Sequence, residues 1–94
     1  MRVTRDTLRG AREGAARAAR FRSRGDLRTS LGYWLGSVAR WDEFEREARK
    51  TGTWARLSDM IRHNRARCLA QVAEHVLALE MQIERRHWWR RATR

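Results

Sequence analysis

The residues best suited to chemistry stand at the end of the chain, in the run Arg85-Arg86-His87-Trp88-Trp89-Arg90-Arg91. Arginine neutralises phosphates, and an indole offers a flat face on which a base stacks for about 1–3 kcal/mol. The same residue types anchor protein grooves and settle at anionic membrane surfaces. The residues alone therefore leave three partners open: nucleic acid, an acidic protein groove and a lipid surface. A second basic set, Arg5, Arg9, Arg12 and Arg20, stands near the start in an Arg/Ala composition of the kind that arginine-rich RNA-binding segments use. Each set alone is also compatible with a plain solvated face. Together they are more telling, because both are expected to reach one phosphate track.

Other chemistries lack their residues. Glu84 and His87 form one Glu-x-x-His pair, with Glu80 on the same flank. A carboxylate-bridged di-metal bundle needs two such motifs, so the row reads as helical ion pairing. His63, His75 and His87 recur every twelve residues, which turns them 120° apart on a helix and denies them a common ligand sphere. Cys68 falls in an apolar stripe, as a buried structural thiol would. No glycine-rich phosphate loop and no nucleophile–base arrangement occurs. No enzyme, metal or cofactor is expected.

The charge distribution agrees with a polyanionic partner. The 94 residues carry a formal net charge of +11. Residues 1–28 hold a net +6 and residues 85–94 a net +5, while the segments between them balance. The whole excess lies at the two ends, as expected of a domain that seeks nucleic acid. Arg outnumbers Lys 21 to 1. That bias suits bidentate phosphate recognition, and a GC-rich gene would also produce it.

The elements that must position these residues all read as helices. Residues 4–22 form a basic helix with Leu8, Ala11, Ala15 and Ala19 on one face. This face is so shallow that it either packs very closely on a neighbour or orders on a partner. Ser23-Arg24-Gly25-Asp26 breaks the pattern, and Asp26 or Thr29 can cap a second helix over 26–50. Its stripe Leu27, Leu31, Leu35, Val38 gives way to Trp34, Trp41, Phe44, Ala48, which predicts a kink near 36–42 or a fresh start at Asp42. Thr51-Gly52-Thr53 ends it.

The third helix, 53–90, carries two stripes. Trp54, Leu57, Ile61, Cys68, Val72, Val76, Leu79 and Ile83 form the first, and helix 2 is expected on it. Ala66, Ala70, Ala73, Leu77, Met81 and Trp88 form the second, nearly opposite. A surface helix needs one stripe, so the second is expected to receive the N-terminal helix or another subunit, including a second copy. The core is expected to reach Ile83.

One all-α domain spanning residues 1–94, a bundle of about three helices dominated by the last, follows from this pattern. It has no strand, no solenoid-scale repeat and no 18-residue apolar run to span a bilayer. A helix-turn-helix fits poorly: Ala48 and Gly52 have the spacing of its turn, but Glu47, Thr53 and Ser58 occupy positions that should be apolar. A lone cysteine and no secretory apolar core point to the cytoplasm of a bacterial or viral system. The leading expectation is a sequence-tolerant nucleic-acid-binding subunit of a nucleoprotein assembly, contacting DNA or RNA through Arg5, Arg9, Arg12, Arg20, Arg85, Arg86, Arg90 and Arg91, with Trp88 and Trp89 stacking. Its rival is a protein-interaction module, an adaptor or virus-encoded inhibitor, docking through Ala66, Ala70, Ala73, Leu77 and Met81.

Overall fold

The computed structural model describes the backbone from Arg2 to Ala92 and the side chains from Arg9 to Ala92. Over these residues the chain is all-α, with α1 (Arg2–Ser23), α2 (Leu27–Lys50) and α3 (Trp54–Ala92) and no strand. Two short connections make successive helices antiparallel neighbours. Gly25 (φ 79°) and Gly52 (φ 73°) take the left-handed conformation that lets each chain reversal close. At the first turn the Asp26 N–H returns to the Phe21 carbonyl at 2.9 Å. The Asp26 carboxylate then caps α2, accepting the Thr29 N–H at 3.1 Å.

α2, not α3, is the sandwiched helix. α1 packs along it on one side and α3 on another. The α1 contact is made of small groups. Ser30 Oγ donates to the Ala18 carbonyl at 2.8 Å, and Ser37 Oγ donates to the Ala11 carbonyl at 2.9 Å. Both serines and both alanines are buried, and the partners stand seven residues apart on each helix. Between these two rungs lies Gly14, where a Cβ would come within 2.6 Å of Ser37 Oγ. Close approach thus buries a face with few apolar atoms. Phe21 stacks on Tyr33 at 5.4 Å near the turn. The buried face is rotated from the one expected: Ala11 and Ala15 stay in it, Gly14 and Ala18 join, and Ala19 is exposed. The seven-residue repeat of paired helices selects Ala18 over Ala19. Leu8 lies outside the described side chains.

The core proper is small. Trp41, Phe44 and Ala48 of α2 meet Ile61 and Cys68 of α3, with Ala11 against them and Trp34, Val38, Trp54, Leu57 and Met60 around the margin. Trp41 and Phe44 pack edge to face at 5.7 Å. On α3 the buried residues Ile61, Cys68 and His75 repeat every seven, a line that keeps to one neighbour.

Three expectations are corrected by this arrangement. α2 runs through Gly36-Ser37 as one helix, with no fresh start at Asp42. Its stripe rotates because it serves two neighbours: Ser30 and Ser37 bond α1, while Asp42 and Glu45 on another side bind Arg65 of α3 at 3.1 and 3.3 Å. The second stripe of α3 does not receive α1, because α1 spends its small-residue face on α2. Val76 and Ile83, expected in the core, are 40 % and 48 % exposed. The core stops near Leu79 because α2 begins at Leu27 and offers nothing further to cover α3. With 39 residues against 24, α3 outlasts α2 by about 20 Å at 1.5 Å per residue. The chain is accordingly elongated, 62 × 21 × 14 Å.

Candidate functional site

Where α3 leaves the bundle it becomes an arm. Every residue from Glu80 to Ala92 is exposed. Trp88 and Trp89 show 69 % and 65 % of their surface, an unusual display for the largest apolar side chains. Helical spacing sorts the arm into two sides. Met81, Glu84, Arg85, Trp88 and Arg91 surround one shallow surface, and Ile83, Arg86 and Arg90 another, with His87 touching both. Trp88 is therefore flanked by Arg85 and Arg91, two cations beside one exposed indole. Trp89, one residue on, is turned 100° away. Arg85, Arg86 and Arg91 make no ion pair among the described residues.

Several arginines of the bundle are committed differently. Arg22 bonds Glu74 and reaches Gln71 at 3.0 Å, tying α1 to α3. This contact holds the Glu74 carboxyl below its usual range: the hydrogen bond from Arg22 is the main cause, and the opposing desolvation is smaller. Arg49 and Arg62 lie over the Trp54 ring at 4.3 and 5.3 Å. Arg65 bridges Asp42 and Glu45. These guanidiniums are engaged by side chains of the bundle.

Of the N-terminal basic set, Arg9 and Arg12 are not brought to the arm. Arg12 lines a cleft with Ala15, Trp34, Asn64, Arg67 and Cys68. Cys68 and Trp88 are 20 residues apart on α3, about 30 Å. Since α1 and α3 both run antiparallel to α2, the start of α1, with Arg9 and Arg12, faces away from the arm. Arg5 lies outside the described side chains. A single nucleic acid reaches both sets only by running about nine nucleotides along the long axis. The end of α1 is the end near the arm, and with it Arg20 and Arg24, both exposed. Closest is Arg28, in the first turn of α2, which shares a cleft with Leu79, Gln82, Ile83 and Arg86. Arg24 and Arg28 escaped sequence reasoning because their nearness to the arm depends on topology, not on local pattern.

The residues set aside as non-catalytic keep structural surroundings. Cys68 is buried, and burial pushes its thiol up, against a smaller opposing effect of the hydrogen bond from Trp41. His75, 1 % exposed, joins all three helices. Its Nδ1 lies 2.7 Å from the Gln71 carbonyl, so that nitrogen donates, and its Nε2 lies 2.7 Å from Ser30 Oγ. Ser30 Oγ, which donates to the Ala18 carbonyl, thus links His75 of α3 to α1. No group of three or more metal-ligating side chains occurs among the described residues. No described helix is long and apolar enough to cross a membrane. The proposed partner stripe, Ala66, Ala70, Ala73, Leu77 and Met81, is exposed along its whole length, Leu77 at 59 %.

Comparison with protein-family models, curated proteins and solved structures finds no match for the chain.

Proposed function

We propose that this protein binds nucleic acid through the arm at the end of α3, by phosphate contact and base stacking, with little sequence preference. The carrying observation is Trp88, 69 % exposed between Arg85 and Arg91 on a helix that has left its bundle. An indole held largely in water gains by covering its face, and the adjacent guanidiniums supply the phosphate contacts that a stacked base brings with it. Arg86 and Arg28 extend the cationic surface towards the bundle. Phosphate contacts of this kind position a strand without reading it.

Fluorescence anisotropy with labelled single- and double-stranded DNA and RNA tests the proposal. Log K should fall linearly with log[salt], by about 0.7–0.9 per phosphate contact. Replacing Arg85, Arg86 and Arg91 together by Gln should flatten the slope by about 2–3. Trp88→Ala should weaken single-strand binding by about 5- to 150-fold and leave the slope in place. Affinity that ignores salt, or no binding in low salt, refutes the proposal.

A second reading has its own observation. Leu77 and Met81 are exposed on a face otherwise made of small alanines, onto which a partner helix can approach closely. In that reading the chain is an adaptor or inhibitor within a protein complex. A partner retained through nuclease and high salt, and lost on Leu77→Glu, would mark it.

A further inference from the structure

α1 and α3 both pack on α2 and scarcely touch each other, which leaves a cleft between them. Trp34 and Trp41 of α2 form its floor, with Arg12 on the α1 wall and Arg67 and Gln71 on the α3 wall. Its volume is about 190 Å³, below the roughly 300 Å³ at which clefts for drug-sized ligands begin, so it suits a small group.

The two walls carry matching rows. Arg12, Ala15 and Arg22 stand at helical spacing on α1, and Asn64, Arg67, Gln71 and Glu74 stand at helical spacing on α3. At one end of this seam Arg22 bonds both Gln71 and Glu74, so a cation meets a carboxylate. Ten residues back on α1, about 15 Å along the helix, Arg12 shares the cleft with Arg67, and no carboxylate lines it. Neither arginine makes an ion pair among the described residues. Two cations on facing walls of one small cleft repel each other until an anion stands between them.

The remaining polar groups of the cleft are mostly donors in want of an acceptor. The Trp41 indole is engaged with the Cys68 thiol. Trp34 Nε1, by contrast, is buried with no hydrogen-bond partner among the described residues, an unfavourable state for an N–H. Gln71 has its Oε1 committed to Arg22 at 3.0 Å, which leaves its amide hydrogens. Asn64 gives its amide hydrogens to the Met60 carbonyl at 2.8 Å and keeps one oxygen. Donors thus come from the floor and from both walls. That distribution suits the oxygens of a tetrahedral anion better than a planar carboxylate, which a single guanidinium grips in one plane.

We propose that this cleft binds a phosphate group, free or carried by a small molecule, held between Arg12 and Arg67 with the Trp34 N–H as a third donor. The arm takes no part, since Trp88 lies 20 residues beyond Cys68, about 30 Å along α3. The proposal therefore stands independently of nucleic acid binding there.

Nitrogen-15 correlation spectra of the nuclease-treated full chain, titrated with sodium phosphate at pH 7 and with sodium chloride at matched ionic strength, test it. The five tryptophans give five indole N–H peaks, and the peaks lost in Trp34→Phe and Trp88→Phe identify those two residues. The Trp34 peak should move saturably with phosphate and not with chloride, while the Trp88 peak stays. Arg12→Gln and Arg67→Gln should each weaken phosphate binding about tenfold or more, the worth of a charge-assisted hydrogen bond, and Arg85→Gln should leave it unchanged. The same spectra show whether each variant is folded. Glycerol phosphate separates the two sources: tighter binding than inorganic phosphate supports an organic phosphate, and weaker binding supports the free ion. A Trp34 peak that moves no more with phosphate than with chloride overturns the proposal, as does an affinity indifferent to both arginine substitutions. An unphosphorylated single strand carries only phosphodiesters. If it moves the Trp34 peak at a lower phosphate concentration than sodium phosphate does, the cleft is a length of nucleic acid track and the proposal fails.

Discussion

Gly14→Ala should destabilise the protein although alanine is the better helix former. Within a helix, Gly→Ala ordinarily gains about 1 kcal/mol. At Gly36 a Cβ would meet nothing within 4 Å, so Gly36→Ala should show that gain. At Gly14 the same methyl group would stand 2.6 Å from Ser37 Oγ and 3.4 Å from the Tyr33 carbonyl. Ser37 must then rotate its hydroxyl away and abandon the buried 2.9 Å bond to the Ala11 carbonyl. A buried hydroxyl left without a partner costs about 1–3 kcal/mol, and residual crowding adds to that. The net expectation is a loss of about 1–2 kcal/mol after the propensity gain. Urea denaturation followed by far-UV circular dichroism, at one protein concentration, measures it. A double-mutant cycle sharpens the test. With Ser37→Ala in place the nearest side-chain atom is the residue-37 Cβ, 3.8 Å away, so Gly14→Ala should become neutral or stabilising, with a coupling of about 2 kcal/mol. Gly14→Ala as stabilising as Gly36→Ala in the wild-type background would refute the close-packed α1–α2 contact.

Further outcomes are expected elsewhere. Cys68 should resist Ellman's reagent in the native protein at pH 8 and react at the rate of global unfolding, since it is buried with a raised thiol pKa. The same shift means that stability declines as pH rises past the unfolded thiol's value of about 8.5, where only the unfolded chain readily ionises. Glu74 has the opposite sign. Its lowered pKa adds stability above the unfolded carboxyl value of about 4.3, lost as pH falls through the folded one, and Glu74→Gln should make the acid limb of the stability profile shallower. His75→Ala should cost about 2–4 kcal/mol in urea denaturation, because it empties a site 1 % exposed at the junction of three helices. A chain ending at Gln82 should unfold within about 0.5 kcal/mol of the full chain, Ile83 to Ala92 being exposed, yet lose nucleic acid affinity in the anisotropy assay.

The apolar pattern was readable wherever burial is apolar. Ile61, Cys68 and the aromatic stripe of α2 identify themselves at helical period, as do the turns at Gly25 and Gly52 and the cap at Asp26. Ser30, Ser37 and His75 are as deeply buried as any residue and left no such trace, because a hydrogen-bonded polar side chain in a core looks like a solvated one in sequence. A signal did exist: Ser30 and Ser37 share with Ala11 and Ala18 a spacing of seven, the repeat of two helices in close contact. The rotating stripe of α2 fits a fresh start at Asp42 and one two-sided helix equally well, and the unbroken helix with α1 on one side and α3 on another is what distinguishes them. The arm was legible as a basic aromatic run. Its separation from Arg9 and Arg12, and its nearness to Arg28, were not, since both follow from the direction in which three rods are stacked.

The uninterrupted passage of α3 from bundle to arm has a thermodynamic consequence. An isolated peptide of the arm's length would be almost wholly coil in water, because the first helical turn is so costly to start. Here packing of the first two-thirds of α3 pays that nucleation cost once, and the arm needs only to propagate, residue by residue, each step nearly neutral. Its helical length is then set by temperature, salt and ligand rather than by the bundle's melting. Far-UV ellipticity should drift steadily with warming well before the cooperative transition, and amide exchange should quicken progressively from Glu80 outwards. The arm is thus a helix whose outer turns can wind and unwind while the fold behind them is undisturbed.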